Sequence, residues 1–263
     1  MIISSPQNDR VKDLVRLRDR RHRDRTGQFL VEGFREISRA VEAGLRIESL
    51  FMCPGLFLGP NEGKLIERVA AVGTEIVELA EGPFRKVSYR DRPEGLLAVA
   101  PQFDTALAGL PVDATPLLLV AESIEKPGNL GTMLRTADAV GADAVIVADA
   151  TTDPFNPNVV RASTGTLFTV PLAVASTEDT IEWLRGNKVS IVATTPDTST
   201  EVWNADLTGA VAVVIGAEQY GLSDAWMEAA DIRIRIPMAG MADSLNAAMA
   251  AGVVLFEAVR QRR

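Results

Sequence analysis

Three glycine-bearing turns, each set behind a short apolar run, restrict what this chain can become more than any other feature. They read Glu125-Lys-Pro-Gly-Asn-Leu-Gly-Thr-Met-Leu-Arg135, Ile215-Gly-Ala-Glu-Gln-Tyr-Gly-Leu-Ser223 and Ile236-Pro-Met-Ala-Gly-Met-Ala-Asp-Ser-Leu-Asn246. Each run reads as a buried strand and each turn leads into a helical pattern. An α/β protein builds ligand sites in this way, at the carboxyl ends of its strands. Near-continuous apolar strands between helices predict a mainly parallel sheet with helices on both faces. The final helix is expected to run from Ser244 to Arg260.

Upstream, strands at 28–32, 47–52, 75–79 and 96–100 alternate with helices at 7–23, 34–43, 64–71 and 83–87. That is the pattern of a smaller α/β domain. Residues 102–116 hold Gly109, Pro111 and Pro116 and no sustained period. The domains are therefore placed at 1–105 and 117–263, with 106–116 as the linker.

Composition removes several chemistries. One cysteine, Cys53, and one histidine, His22, leave no pair for a disulfide and no Cys/His set for catalysis or zinc, and no metal is expected. No P-loop and no Gly-x-Gly-x-x-Gly after a strand is present. No leader-like segment is read at the amino terminus, and the apolar run 247–256 is too short to span a bilayer, so a cytoplasmic protein without membrane contact is expected. Net charge is −8, unevenly distributed: residues 1–35 carry nine Lys/Arg against five acids, a net +4, and the remainder carries −12. Arg18, Arg21, Arg23 and Arg25 then form either a footprint for phosphate or a solvated helix laced with ion pairs.

Each candidate site residue also has an ordinary structural role open to it. Asn129, Ser223 and Ser244 stand where helices are capped. Arg135 shares a helical face with Gly131 and is read either as a surface ion-pairing residue or as a two-pronged phosphate ligand. Glu218 is framed by Gly216 and Gly221. Asn246 caps a helix or bonds a ligand. Met238 and Met241, in a compact loop with Pro237 and Gly240, wrap an apolar group or fill space.

The stretches 126–138, 216–223 and 236–246, in this order and each after a strand, together resemble the SpoU/TrmH branch of the SPOUT methyltransferases. The resemblance covers about residues 117–260, and Phe29-Leu-Val-Glu-Gly33 is similar to the RNA-binding amino-terminal domain of that family. It implies a ribose 2′-O-methyltransferase acting on RNA with S-adenosyl-L-methionine, a deep trefoil knot, and a homodimer through the carboxyl-terminal domain. By motif match Asn129, Arg135, Glu218, Ser244 and Asn246 become the catalytic and substrate-side residues. Thr194, Thr195, Ile215, Gly216, Ile236, Met238 and Leu245 become the cofactor-binding set. Gln219-Tyr220 departs from the pair common in the second motif, which touches substrate or dimer contacts. The 2′-hydroxyl requirement selects RNA over DNA. Ribosomal RNA, 23S, is the expected substrate. Transfer RNA, base methylation and a non-catalytic RNA-binding or assembly role remain as alternatives. Arg135 stands either as the base or as the phosphate clamp.

Overall fold

The computed structural model describes residues 2–263. In chain order the elements are β1 (Ile2–Ile3), α1 (Asp9–Arg16), α2 (Arg20–Thr26), β2 (Gln28–Glu32), α3 (Phe34–Glu42), β3 (Ser49–Met52), α4 (Glu62–Ala70), β4 (Glu75–Leu79), α5 (Glu81–Val87) and β5 (Leu96–Pro101). They continue as β6 (Leu117–Glu122), α6 (Pro127–Val140), β7 (Ala144–Ala148), α7 (Pro157–Ser163), β8 (Leu172–Ala175), α8 (Thr177–Gly186), β9 (Ser190–Thr194), β10 (Val211–Ile215), α9 (Asp224–Ala229), β11 (Ile232–Ile234) and α10 (Ala247–Gln261). Two compact units result. The first is residues 1–103 with 153–169, and the second is 104–152 with 170–263.

The first unit holds a mixed five-stranded sheet in the order β1-β4-β3-β5-β2. β5 runs antiparallel to both β2 and β3, and β3 is parallel to β4. One face packs Leu30, Phe51, Val77 and Leu97 against Val11 and Leu14 of α1 and Phe84 and Val87 of α5. Cys53 lies in this core, and burial pushes its thiol above the ordinary range, so it is a small hydrophobe and not a nucleophile. The helix expected over 7–23 is two helices. Asp19 caps the second, its carboxylate accepting from the His22 amide at 3.2 Å, because an aspartate offers the backbone a capping bond that competes with helix continuation.

The segment 153–169, which the sequence pattern assigns to the carboxyl-terminal domain, packs in the first unit. Phe155 and Phe168 meet Phe29 of β2 with ring centroids 5.0 and 6.2 Å apart. Phe103 closes the group, 4.9 Å from Phe155.

The second unit holds a six-stranded sheet in the order β11-β9-β10-β6-β7-β8, in which every pairing is parallel. Leu118, Val120, Ile146, Ala212 and Val214 face Ile181 and Leu184 of α8 and Trp226 and Ala229 of α9. α6 and α10 pack against each other and against the strands β7, β10 and β6, so both faces of the sheet are covered. Residues 104–110 dock on this unit: Leu107 and Leu110 rest on its core and the Val174 amide donates to the Thr105 carbonyl at 2.8 Å. Among the described residues no helix is long and apolar enough to cross a membrane.

Candidate active site at the carboxyl edge of the second sheet

Strand register places the three glycine turns on one edge. Ile215 stands beside Ala121, Ala121 beside Val147, Val214 beside Ala193 and Thr194 beside Ile234. The segments after β6, β10 and β11 therefore leave the sheet on the same side, as parallel strands require.

The second turn is the tightest. Ala217 and Gly221 exchange both backbone hydrogen bonds at 3.0 Å, and Gly221 adopts φ +69°. A Cβ on Gly216 would stand 2.2 Å from the Gly221 carbonyl carbon, so only glycine fits there. This turn carries Glu218. Its Oε1 accepts from Asn129 Nδ2 and its Oε2 from the Glu125 amide at 3.2 Å. Burial raises the Glu218 carboxyl, but the amides of Glu125, of Glu218 itself and of Lys126, with the Asn129 side chain, outweigh it and hold the group below its ordinary range. The carboxylate is thus the ionised partner of several donors.

Asn129 is not a cap. α6 begins at Pro127, a residue pre-set for the first helical position, which makes Asn129 the third residue of the first turn. Its Oδ1 accepts from Asn246 Nδ2 at 3.1 Å. Asn246 in turn caps α10, accepting from the amides of Ala248 and Met249 at 3.0 and 3.4 Å. The last helix thus starts at Ala247 and not at Ser244, since the better-placed asparagine takes the capping role. Glu218, Asn129 and Asn246 form one hydrogen-bonded chain that ties together all three segments.

Other candidates lie outside that chain. Arg135 is exposed on α6, with no hydrogen bond or ion pair among the described residues. Ser244 is exposed, and Leu245 half-buried. Thr194 donates its hydroxyl to the Val214 carbonyl at 2.8 Å, and the Thr195 hydroxyl accepts from the Asp197 amide at 3.1 Å. Ile215 is buried, Ile236 half-buried and Met238 exposed. Half-open apolar side chains beside a turn that admits only backbone suit an adenosine-type group better than a compact anion. One residue escaped the sequence reading. Glu122 closes β6, is buried, and accepts from the Ser223 amide at 3.0 Å, anchoring the far end of the Glu218 turn. An acid ending an otherwise apolar strand is the signal that marks it.

In the first unit the basic helix does not present all four of its expected arginines. Arg23 is 1% exposed. Its Nε and Nη2 both donate to Asp153 Oδ2, at 2.9 and 2.5 Å, and its Nη1 donates to the carbonyls of Leu17 and Arg18. Each guanidinium nitrogen of Arg23 is thus engaged inside the protein, and the expected phosphate footprint has no exposed guanidinium at this position. Arg18 is half-buried, donating to the Lys86 and Ser88 carbonyls and lying 4.8 Å over the Tyr89 ring. Arg21 and Arg25 are exposed, Arg25 resting 2.7 Å from His22 Nδ1.

Residues 116–256 match the SpoU rRNA Methylase family, and residues 8–98 match the MRM3-like substrate binding domain. The chain belongs to the SpoU family. The 23S rRNA (uridine(2479)-2′-O)-methyltransferase of Streptomyces viridochromogenes is 36% identical over 255 residues, covering 94% of this chain and 87% of that relative. A crystal structure of an RNA 2′-O ribose methyltransferase is 43% identical with a TM-score of 0.87, covering 100% of this chain and 99% of its own. The AdoMet-bound rRNA methyltransferase from Sinorhizobium meliloti is 35% identical with a TM-score of 0.90, over 99% and 97% of the two chains.

Proposed function

We propose that this SpoU-family chain transfers the methyl group of S-adenosylmethionine to a ribose 2′-hydroxyl of 23S ribosomal RNA. The observation that carries the reading is the chain of hydrogen bonds from Glu218 through Asn129 to Asn246, which joins the three strand-end segments at one place. When bound, the donor supplies an already activated methyl on a sulfonium, so the reaction is a displacement whose main demand is alignment. Gly216, Ile215, Ile236, Met238 and Leu245, with Thr194 and Thr195, are the residues assigned to hold it.

Arg135 is the group assigned to the substrate. Its guanidinium is free to take a phosphate through two parallel bonds and so to orient the neighbouring 2′-hydroxyl. A guanidinium pKa above about 12 makes it a poor base, so we read it as a clamp, with the hydroxyl proton lost late in the displacement. Glu218 and Asn129 hold the turns in register, and Ser244 stands at the substrate side of the third segment.

The first unit, residues 1–103 with 153–169, is assigned to RNA binding and the second, 104–152 with 170–263, to methyl transfer. The match of residues 8–98 to a substrate binding domain supports the first assignment, and exposed Arg21 and Arg25 supply cations for phosphate. We read the chain after β9 as a deep trefoil. Support comes from residues 200–202 lying along Arg235, whose amide donates to the Thr200 carbonyl at 2.9 Å and whose carbonyl accepts from Val202 at 2.9 Å. A homodimer through this part is supported by exposed Met249 and Phe256, seven residues apart on one face of α10. A cytoplasmic location follows from the substrate.

The test is transfer of labelled methyl from S-adenosylmethionine to ribosomal RNA, followed by nuclease mapping. Label in a dinucleotide resistant to 2′-hydroxyl-dependent cleavage is expected, and label on a base overturns the reading. Arg135→Lys is expected to lose at least tenfold in transfer with donor binding intact, because lysine cannot make the paired bonds. Activity near that of the unaltered protein would reject the clamp.

A further inference from the structure

Of the chain's two tyrosines, one is built into the protein and the other is not. Tyr89 is half-buried, with the Arg18 guanidinium 4.8 Å over its ring. Tyr220 is 79% exposed, and its hydroxyl makes no hydrogen bond among the described residues. A single exposed aromatic on an open surface needs no explanation, but this one stands two residues beyond Glu218, on the turn that meets Asn129. Both sides of that turn are pinned. Gly216 admits no side chain, and Ala217 and Gly221 exchange both backbone hydrogen bonds. The Glu218 carboxylate takes Asn129 and the Glu125 amide, and Glu122 holds the Ser223 amide. Two chain steps span at most about 7 Å. The root of the ring is therefore fixed close to the chain of Glu218, Asn129 and Asn246, while the ring itself stays in solvent.

An aromatic side chain on a fixed support suits a flat ligand, because ordering it on binding restricts only two torsions. The surroundings decide the kind of ligand. Gln219 and Gly221, on either side, are exposed and add no apolar surface. Lys126, whose amide also serves the Glu218 carboxylate, is exposed, and its ammonium makes no hydrogen bond or ion pair among the described residues. Lysine is depleted from contacts between subunits, and the apolar pair Met249 and Phe256 on α10 is a better surface for a second copy. An open aromatic ring in a turn flanked by an unpaired cation is the arrangement that takes single-stranded nucleic acid, base on ring and phosphate on cation.

We propose that Tyr220 is a substrate-contacting residue whose ring stacks on the base of the nucleotide that is methylated. The ring stands within a side chain's length of Glu218, so the base it meets belongs to the sugar at the site. Stacking uses a face that every base possesses, so the contact orients the nucleotide without choosing its identity. It also requires a free base face, which a nucleotide stacked in a duplex does not offer, so the target is unpaired or turned out of its stack. The inference rests on the reading of the chain as a ribose methyltransferase, which methyl transfer by the unaltered protein tests separately.

The experiment is steady-state methyl transfer by the full-length protein to a ribosomal RNA fragment carrying the mapped nucleotide, and to the same fragment lacking the base at that nucleotide. Tyr220→Ala is expected to lose about tenfold or more in kcat/KM on the intact fragment, mainly through KM. On the abasic fragment the variant and the unaltered protein are expected to be equal, since the stacking partner is already gone. Tyr220→Phe and Tyr220→Trp are expected to keep the activity. Tyr220→Leu, apolar but without an aromatic face, is expected to behave as Tyr220→Ala does. S-adenosylmethionine binding by calorimetry and the sedimentation of Tyr220→Ala are expected to match the unaltered protein. A Tyr220→Ala variant within twofold of the unaltered protein, rescue by leucine, or the same loss on the abasic fragment would overturn the proposal. So would weakened donor binding, or a change in sedimentation, which would mark a contact between subunits. Absence of methyl transfer by the unaltered protein would reject the reading of function, and this proposal with it.

Discussion

In the first unit charge is fixed by charge: Arg23 meets Asp153 inside the protein, and Arg90 meets Glu36 and Glu94. In the second, the candidate site is held by neutral amides. Glu218 accepts from asparagine and backbone N–H groups, Glu122 from a backbone N–H, and Arg135 on α6 makes no hydrogen bond or ion pair among the described residues. A guanidinium engaged on every side cannot also grip a substrate. One tethered only at its own Cα can, and amide hydrogen bonds shape the surrounding turns without adding a competing cation. Abundance of arginine and availability of arginine are thus different properties, and the arginine-rich helix illustrates the first while the solitary Arg135 illustrates the second.

Removing a buried charge is the strongest way to break this contrast. Arg23→Ala leaves Asp153 uncompensated inside the first unit and is expected to cost about 3–5 kcal/mol of stability, read by thermal or denaturant unfolding, while S-adenosylmethionine affinity of the folded protein stays the same. A melting curve that does not move would show that Asp153 finds other donors. Gly216→Ala is next. The added Cβ meets backbone and not a flexible side chain, and a forced shift of this kind costs about 1–3 kcal/mol. Calorimetry is expected to show weakened donor binding, with the first unit's protection from hydrogen exchange retained. Equal affinity in the variant would mean that the turn opens without harm.

The smallest effect is electrostatic. The Glu218 carboxyl is held below its ordinary range by its donors. Its stabilising contribution is therefore complete above the unfolded-state pKa of about 4.3 and is lost as pH falls through the lower folded value. The unfolding free energy is expected to be flat above the ordinary carboxylate range and to decline as pH falls below it, read by denaturant unfolding. Glu218→Gln should remove that decline, and an unchanged acid limb in the variant would assign it to another group.

The strand pattern was legible because buried parallel strands are continuous apolar runs, and Leu117–Glu122 and Val211–Ile215 lie where those runs stand. The meeting of Asn129, Glu218 and Asn246 was partly legible, since parallel strands deliver their following turns to one edge. Which of them caps a helix was not, because capping is decided by competition between neighbours: Pro127 started α6 early, and Asn246 displaced Ser244. The fate of Arg23 was hidden for a different reason. Its partner Asp153 is 130 residues away, and local charge density carries no information about a partner so distant. The two-residue strand Ile2–Ile3 is too short to show any period, and Glu122 was masked by the apolar run that precedes it.

The aromatic cluster of Phe29, Phe103, Phe155 and Phe168 has a consequence for synthesis. A chain leaving the ribosome amino end first exposes β2 and its phenylalanine long before residues 155 and 168 have been made. The first body cannot finish closing until roughly the middle third of the polypeptide has emerged. In this protein the earliest part to be translated waits on a later one, so its folding is set by delayed, distant pairing and not by local assembly.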